Sequence, residues 1–331
     1  MTARCLEPTS ANIARAVERL LQGELVGMPT ETVYGLAADF GNEEAVRKVF
    51  ITKGRPIDNP LIVHVAEPGQ ARELSPDWNA TCDRLAERFW PGPLTLVLPH
   101  GGRVNDYVTS GHPTVALRSP AHDTALELIR AAGRPLVAPS ANRSGQVSPT
   151  TAAHVLDEFP AEAFPVLDGG PCSHGIESTV LALSDEIPVV LRPGAVTLAE
   201  LREELPRVEA PVIGEQVAAP GTSVRHYAPN TPAILVRTDE LDEQLAETEV
   251  PAVVLSLGFR EASLPHQVIE MPELAADYAR GLYAALRRDC LLDNEIVVCF
   301  LGRCIAIGGE AVGYVRRLEA ERLVVSRGLV D

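Results

Sequence analysis

Lys53, Arg55 and Asn59 share one Gly/Pro-bounded string, "TKGRPIDNP", and such a string can present two cations and an amide to an anion. Lysine occurs only at Lys48 and Lys53 among the 29 basic residues, so a lysine in this setting stands out. Further polar residues stand where short apolar runs end. Thr30 and Thr32 lie in "PTETVYG", Arg118 closes "TVALR", and Ser140, Asn142 and Ser148 fall in "APSANRSGQVSPT". "DGGPCSHGIESTV" offers backbone amides and Ser178, and "LRPG" offers Arg192. Ligand sites in open α/β sheets gather at strand ends, where loops converge. Four cations with hydroxyl and amide groups suit a polyphosphate plus a small polar co-substrate. Each residue also has a plainer reading. "KGRP" could be a solvated turn, "PSAN" a helix cap, and His64 in "LIVHV" a satisfied core histidine. Arg118 and Arg192 could form surface ion pairs, and the His226-Tyr227 pair in "VRHYAP" could anchor a tether. Taken alone, these residues describe an anion-binding α/β enzyme.

Other chemistries lack their signatures. There is no G-x-x-x-x-G-K-[ST], no G-x-G-x-x-G, and no G-x-S-x-G around Ser140 or Ser178. Six cysteines in 331 residues form no C-x-x-C pair, and neither Cys172 with His174 nor Cys299 with Cys304 completes a metal-ligand set. No metal site of the protein's own is expected. No run approaches the ~18 apolar residues of a membrane span, and "MTARCLEPTS" has no signal-type apolar stretch, so a cytoplasmic chain is expected. The net charge is −16, shared by residues 1–229 and 230–331, so neither part is a basic nucleic-acid platform.

Strands and helices must interleave to place these strings. Thr9 or Ser10 caps a first helix through Ile13, Val17, Leu20 and Leu21, stopped by Gly23. "ELVGMPT" reads as a buried strand, and a helical pattern through Ala45, Val46, Val49 and Phe50 runs into the Lys53 loop, broken by Pro56 and Pro60. Strands are expected at "LIVHV", "LTLVLP", "TVALR", "PLVAP" and "PVLDGG", with helices over 78–90, 122–132 and 150–158. "STVLALS" and "IPVVLRPG" pattern as a closing hairpin. The first unit, residues 1–206, is therefore α/β with a twisted mixed sheet and flanking helices. Residues 207–231, rich in Pro, Gly and Ala without period, form a linker or lid. The second unit, 232–331, alternates strands at 233–236, 252–257, 267–270 and 295–301 with helices over 239–247, 273–288 and 310–320. That is the pattern of a smaller, doubly wound, Rossmann-like sheet.

The strings "PTETVYGL", "KGRPIDNPLIVHV", "FWPGPLTLVLP", "VALRSPAH", "PLVAPSANRSG", "SPTTAAHV", "LDGGPCSHGIESTV" and "LRPG" together resemble the YrdC-type threonylcarbamoyl-AMP synthases, in the family's order, over about residues 9–205. "APGTSVRHYAPN" is similar to the lid of the two-domain members, whose C-terminal domain is Rossmann-like. The resemblance implies a nucleotidyltransferase that joins ATP, L-threonine and bicarbonate or CO2 into threonylcarbamoyl-adenylate and releases pyrophosphate. Downstream threonylcarbamoyl-transferase proteins would carry the group to the adenosine beside the anticodon of tRNA, with no stable tRNA binding by this chain and no membrane. Lys53, Arg55, Ser140, Asn142 and Arg192 would hold the phosphates, with Mg²⁺ carried by ATP. Asn59, Thr114 and Ser148 would complete the nucleotide site. Thr32, His64, Arg118, Ser178 and the backbone of Ala138 would hold threonine, and His226 and Tyr227 would close the lid over ATP. Two alternatives are weighed: a hydrogenase-maturation carbamoyltransferase, whose zinc-finger cysteine spacing is missing, and an RNA-binding or ribosome-assembly module with a vestigial nucleotide site, which the −16 charge disfavours.

Overall fold

The computed structural model describes residues 4–184, 186–210, 233–237, 243, 245–246, 251–257, 267–287 and 296–301. Helix α1 (Ser10–Leu21) starts where Thr9 Oγ1 accepts the Asn12 N–H at 3.3 Å, and its apolar spacing turns Ile13, Ala16, Val17 and Leu20 inward. Helix α2 (Glu43–Lys53) is capped by Asn42 and stopped by Gly54. It extends further than its apolar pattern indicated, so Lys53 belongs to its last turn, while Arg55 and Asn59 follow in the loop. Helices α4 (Ala80–Phe89), α6 (Asp123–Ala132) and α7 (Ala152–Glu158) fall inside the expected helical segments. Helices α3 (Pro68–Leu74), α5 (Asp106–Thr109) and α8 (Leu198–Glu204), with strands β1 (Arg4–Leu6) and β3 (Gly35–Asp39), are additional. Each is too short for a hydrophobic period to announce it.

The remaining strands of the first sheet are β2 (Val26–Met28), β4 (Ile62–His64), β5 (Leu94–Pro99), β6 (Thr114–Arg118), β7 (Leu136–Val137), β8 (Pro165–Leu167), β9 (Thr179–Ala182) and β10 (Val189–Arg192). They form a ten-stranded mixed sheet in the order β1-β8-β2-β3-β7-β4-β6-β5-β9-β10. β4 and β6 are parallel, β7 runs antiparallel to β4, and β9 and β10 make the expected antiparallel hairpin. Alternation along the strands divides the core between two faces. Leu36, Val63, Leu94, Leu96 and Leu98 pack with Val46 and Val49 of α2 and with Leu85 of α4. Met28, Ala37 and Leu136 pack with Ile13 and Leu20 of α1 and with Leu128 and Ile129 of α6. A third buried set, Ile62, Val97, Ala116, Val180 and Ala182, spans the strands that carry the polar strings.

A second sheet joins β11 (Ala233–Arg237), β12 (Ala252–Leu257), β13 (Gln267–Met271) and β14 (Ile296–Leu301), all parallel, in the order β11-β14-β12-β13. Helix α9 (Ala275–Leu286) lies between β13 and β14 in the chain, and β12 separates these two parallel strands in the sheet. Residues 243, 245 and 246 are helical within the expected helix over 239–247. The expected helix over 310–320, linker residues 211–231 and thus His226 and Tyr227 lie outside the described residues.

Candidate active site

The strand register draws the separated strings together. β4 and β6 end side by side, with His64 opposite Arg118, and β7 brings Ala138 N–H to the Ile62 carbonyl at 3.2 Å. Ile62 and His64 share one strand face while Val63 goes to the helical core. β3 begins against the end of β7 through a Gly35–Ser140 bridge. At the opposite side of the site, the β9–β10 pairing shifts register between Val190 and Arg192, the kind of irregularity that re-aims a side chain. Gly194 follows so closely on the Ser178–Thr179 peptide that a Cβ there would stand 2.4 Å from Thr179 N, which excludes any larger residue.

The result is a cleft whose walls include Thr32, Arg55, His64, Arg118, Ala138, Ser140 and Arg192. All seven were singled out in the sequence. Lys53, Asn59, Asn142, Ser148 and Ser178 stand behind that wall and are tied to its residues or its loops. Lys53 Nζ donates to the carbonyls of Ser140 and Asn142, and the Ser144 N–H returns to the Lys53 carbonyl at 2.7 Å. Arg55 Nε donates to the Asn59 carbonyl at 3.0 Å, and the guanidinium also reaches Asn59 Oδ1 and the Pro60 carbonyl. Arg192 donates to the Ser178 carbonyl at 2.8 Å and to Ser178 Oγ at 3.0 Å. Thr114 is not brought to the cleft. It opens β6 opposite Pro99, four residues and about 13 Å of strand from Arg118.

Burial sets the electrostatics. Lys53, Arg55, Arg118 and Arg192 are all buried, and a cation removed from water needs an anion or a full set of acceptors. Two acids that sequence reasoning passed over, Glu31 and Glu177, supply part of that need. Glu31 Oε1 accepts from Arg118 at 2.7 Å, while Glu31 Oε2 has no hydrogen-bond partner among the described residues. Glu177 lines the cleft, accepts from Ser148 Oγ at 2.7 Å and lies 3.8 Å from Arg192. Thr95, also unremarked in the sequence, shares a 2.8 Å hydrogen bond with Ser178 Oγ. The signal for the acids was present in the strings themselves. Glu31 sits between Thr30 and Thr32, Glu177 adjoins Ser178, and buried arginines demand such neighbours.

Arg118 is further held by Thr32 Oγ1 at 2.9 Å. The Thr30 hydroxyl donates to the Val33 carbonyl at 2.6 Å, so Thr32 is the donor in the 3.0 Å bond between the two threonines. Burial, and then the Arg118 charge, push the His64 imidazole down to about 3, so it is neutral at physiological pH, and its Nδ1 has no partner among the described residues. Burial and then the Arg55 guanidinium bring the Lys53 ammonium down to about 7, against an opposing pull from Glu177 and Glu158. Four buried cations facing two carboxylates leave the site short of negative charge, which an anionic ligand would supply.

Fold and cleft together define an α/β protein with an anion-binding site at converging strand ends. Residues 18–194 match the Sua5/YciO/YrdC family model, described as "Telomere recombination", and residues 196–308 match the model described as "Threonylcarbamoyl-AMP synthase, C-terminal domain". The chain belongs to the Sua5/YrdC family. It is 42% identical over 311 residues, 90% of each chain, to the threonylcarbamoyl-AMP synthase of Pyrococcus abyssi. It is 44% identical over 236 residues to that of Bacillus subtilis, covering 69% of this chain and 67% of the relative. The crystal structure of P. abyssi Sua5 complexed with L-threonine superposes with a TM-score of 0.86 at 36% identity, covering 96% of both chains. The variant of that protein with an adjacent His and Tyr changed to Ala superposes at 0.87.

Proposed function

We infer that this chain makes threonylcarbamoyl-AMP and pyrophosphate from ATP, L-threonine and bicarbonate or CO2, the intermediate for threonylcarbamoyladenosine modification of tRNA. The observation that carries this reading is the gathering of Arg55, Arg118, Arg192, Thr32 and Ser140 around one cleft, in a chain whose relatives bear that activity along most of their length. The chemistry is nucleotidyl transfer. Threonine's amine captures CO2 as a carbamate and loses a proton, and a carbamate oxygen then bonds to the α-phosphorus as the bond to the pyrophosphate breaks.

Positioning and charge balance are what the protein supplies for such a step. We place the threonine carboxylate on Arg118, whose planar fork fits it, with Thr32, neutral His64, Ser178 and the Ala138 backbone about the rest of the amino acid. Lys53, Arg55, Ser140, Asn142 and Arg192 receive the phosphates, with Asn59 and Ser148 assigned to the rest of the nucleotide. Lys53 then exchanges its carbonyl acceptors for phosphate oxygens. Mg²⁺ is assigned as part of the ATP substrate, and no step is routed through it. Residues 207–231, between the catalytic unit 1–206 and the unit 232–331, are assigned as a lid in which His226 and Tyr227 keep water from the adenylate. The partners are downstream threonylcarbamoyl-transferases, without a stable tRNA complex, consistent with the −16 charge. No helix among the described residues is long and apolar enough to cross a membrane, and the cytoplasm is the proposed location.

Radiolabelled bicarbonate tests the reading. Label should enter an AMP-containing product with threonine and not with valine, whose missing hydroxyl leaves buried polar partners unpaired. Equal labelling with both amino acids, or none with threonine, would refute it.

A further inference from the structure

Helix α9 lies far along the chain from the cleft, yet it touches two of the loops that build it. Tyr278, Leu282, Tyr283 and Leu286 are buried, and Arg287 caps the helix, its N–H donating to the Tyr283 carbonyl at 3.1 Å. From this fixed point the Arg287 guanidinium donates through Nε to the Val147 carbonyl at 3.0 Å and makes a second bond to the same oxygen. It also pairs with Glu158 Oε2 at 2.8 Å, the two side chains only 13% and 10% exposed. The other oxygen of Glu158 accepts the Arg143 N–H at 2.8 Å. Arg143 and Val147 thus bracket the turn that holds Lys53. The second loop meets α9 at Gly175, whose φ is +69° and where a Cβ would stand 2.3 Å from the Arg280 carbonyl oxygen. Glu177 and Ser178 follow within three residues.

We propose that α9, through Arg287, is a positioning device for the turn over residues 140–148, so that the C-terminal unit prepares the nucleotide site without touching substrate. The proposal rests on the reading of that turn as phosphate-binding. Its logic follows from Lys53. In the ligand-free site Lys53 anchors the turn by donating to the Ser140 and Asn142 carbonyls. When phosphates draw Lys53 away, that anchor is given up, and the Arg287–Glu158 clamp remains to hold the turn's other flank. A buried pair suits this task because losing one partner strands a charge.

The test uses full-length Arg287→Ala and Arg287→Lys. If the competent turn falls to about a tenth of the population, apparent affinity for ATP falls about tenfold. KM for ATP should rise accordingly in Arg287→Ala, with KM for threonine changed less than about twofold, since Arg118, Thr32 and His64 lie on other elements. Arg287→Lys restores the charge beside Glu158 without the fork on Val147, and should fall between wild type and Arg287→Ala. Amide hydrogen exchange without nucleotide should quicken in residues 140–148 and stay unchanged in α1. Equal shifts in both KM values, or unchanged exchange in the turn, would overturn the role of α9. Lys53→Ala beside them separates the two readings: intact ATP handling in that variant removes the turn from the nucleotide site, and the proposal with it.

Discussion

ATP binding should draw a proton onto Lys53. The ammonium is brought down to about 7 by burial and by Arg55, so at pH 8 only about a tenth of the free enzyme carries that charge. Polyphosphate in the cleft favours the charged form and raises the value again. Binding at pH 8 therefore takes up about nine-tenths of a proton, and above pH 7 the affinity weakens by up to about tenfold per pH unit, or ~1.4 kcal/mol. At pH 6, where Lys53 is already charged, the uptake should fall to about a tenth of a proton. Calorimetric titration of ATP in buffers of differing ionisation enthalpy measures this directly. His64, held near 3, is neutral at either pH and contributes nothing. A phosphate's own second ionisation, near ~6, is complete at pH 8. Lys53→Arg keeps a cation that does not titrate and should abolish the uptake at pH 8. Equal proton uptake in wild type and Lys53→Arg would refute the reasoning.

Lys53→Ala and Arg55→Ala should each lower turnover by on the order of 10²–10³, about 3–4 kcal/mol, the loss of one preorganised charge-stabilising donor, and near wild-type pyrophosphate release by both would remove them from the mechanism. Arg118→Lys should raise KM for threonine far more than KM for ATP, because an ammonium cannot reproduce the fork; equal shifts would show that Arg118 is not dedicated to the amino acid. A His226→Ala/Tyr227→Ala double variant should bind ATP yet yield less threonylcarbamoyl-AMP per pyrophosphate released, as water reaches the adenylate; full yield would reduce residues 207–231 to a tether.

Helix α1 was legible because its cap and apolar period agree, and the β9–β10 hairpin because two apolar runs flank a short polar turn. β3 was hidden: "GLAAD" has no alternation to read, since all five residues are buried within the sheet. Lys53 was assigned to a loop because two prolines follow it, whereas Gly54 lets α2 reach the lysine before the chain breaks. The cleft was readable as a set of cations and hydroxyls because each sits in a Gly- or Pro-bounded string. Glu31 and Glu177 escaped notice because the search was for groups that bind an anion, and their role follows only from the burial of Arg118 and Arg192. Thr114 was assigned through the family resemblance and not from its own string, and it opens β6 opposite Pro99, at the other end of the strand from Arg118. Arg287 carried no local signal, since its partners Val147 and Glu158 lie well over a hundred residues away.

The central claim is that one cleft holds a polyphosphate and an amino-acid carboxylate and joins them through captured CO2. Pyrophosphate release from ATP, measured with the full set of reactants and with L-threonine or bicarbonate omitted in turn, tests it most directly. The account predicts release only when all three are present. Release from ATP at the same rate without threonine or without bicarbonate, or no release from the complete mixture, would contradict it.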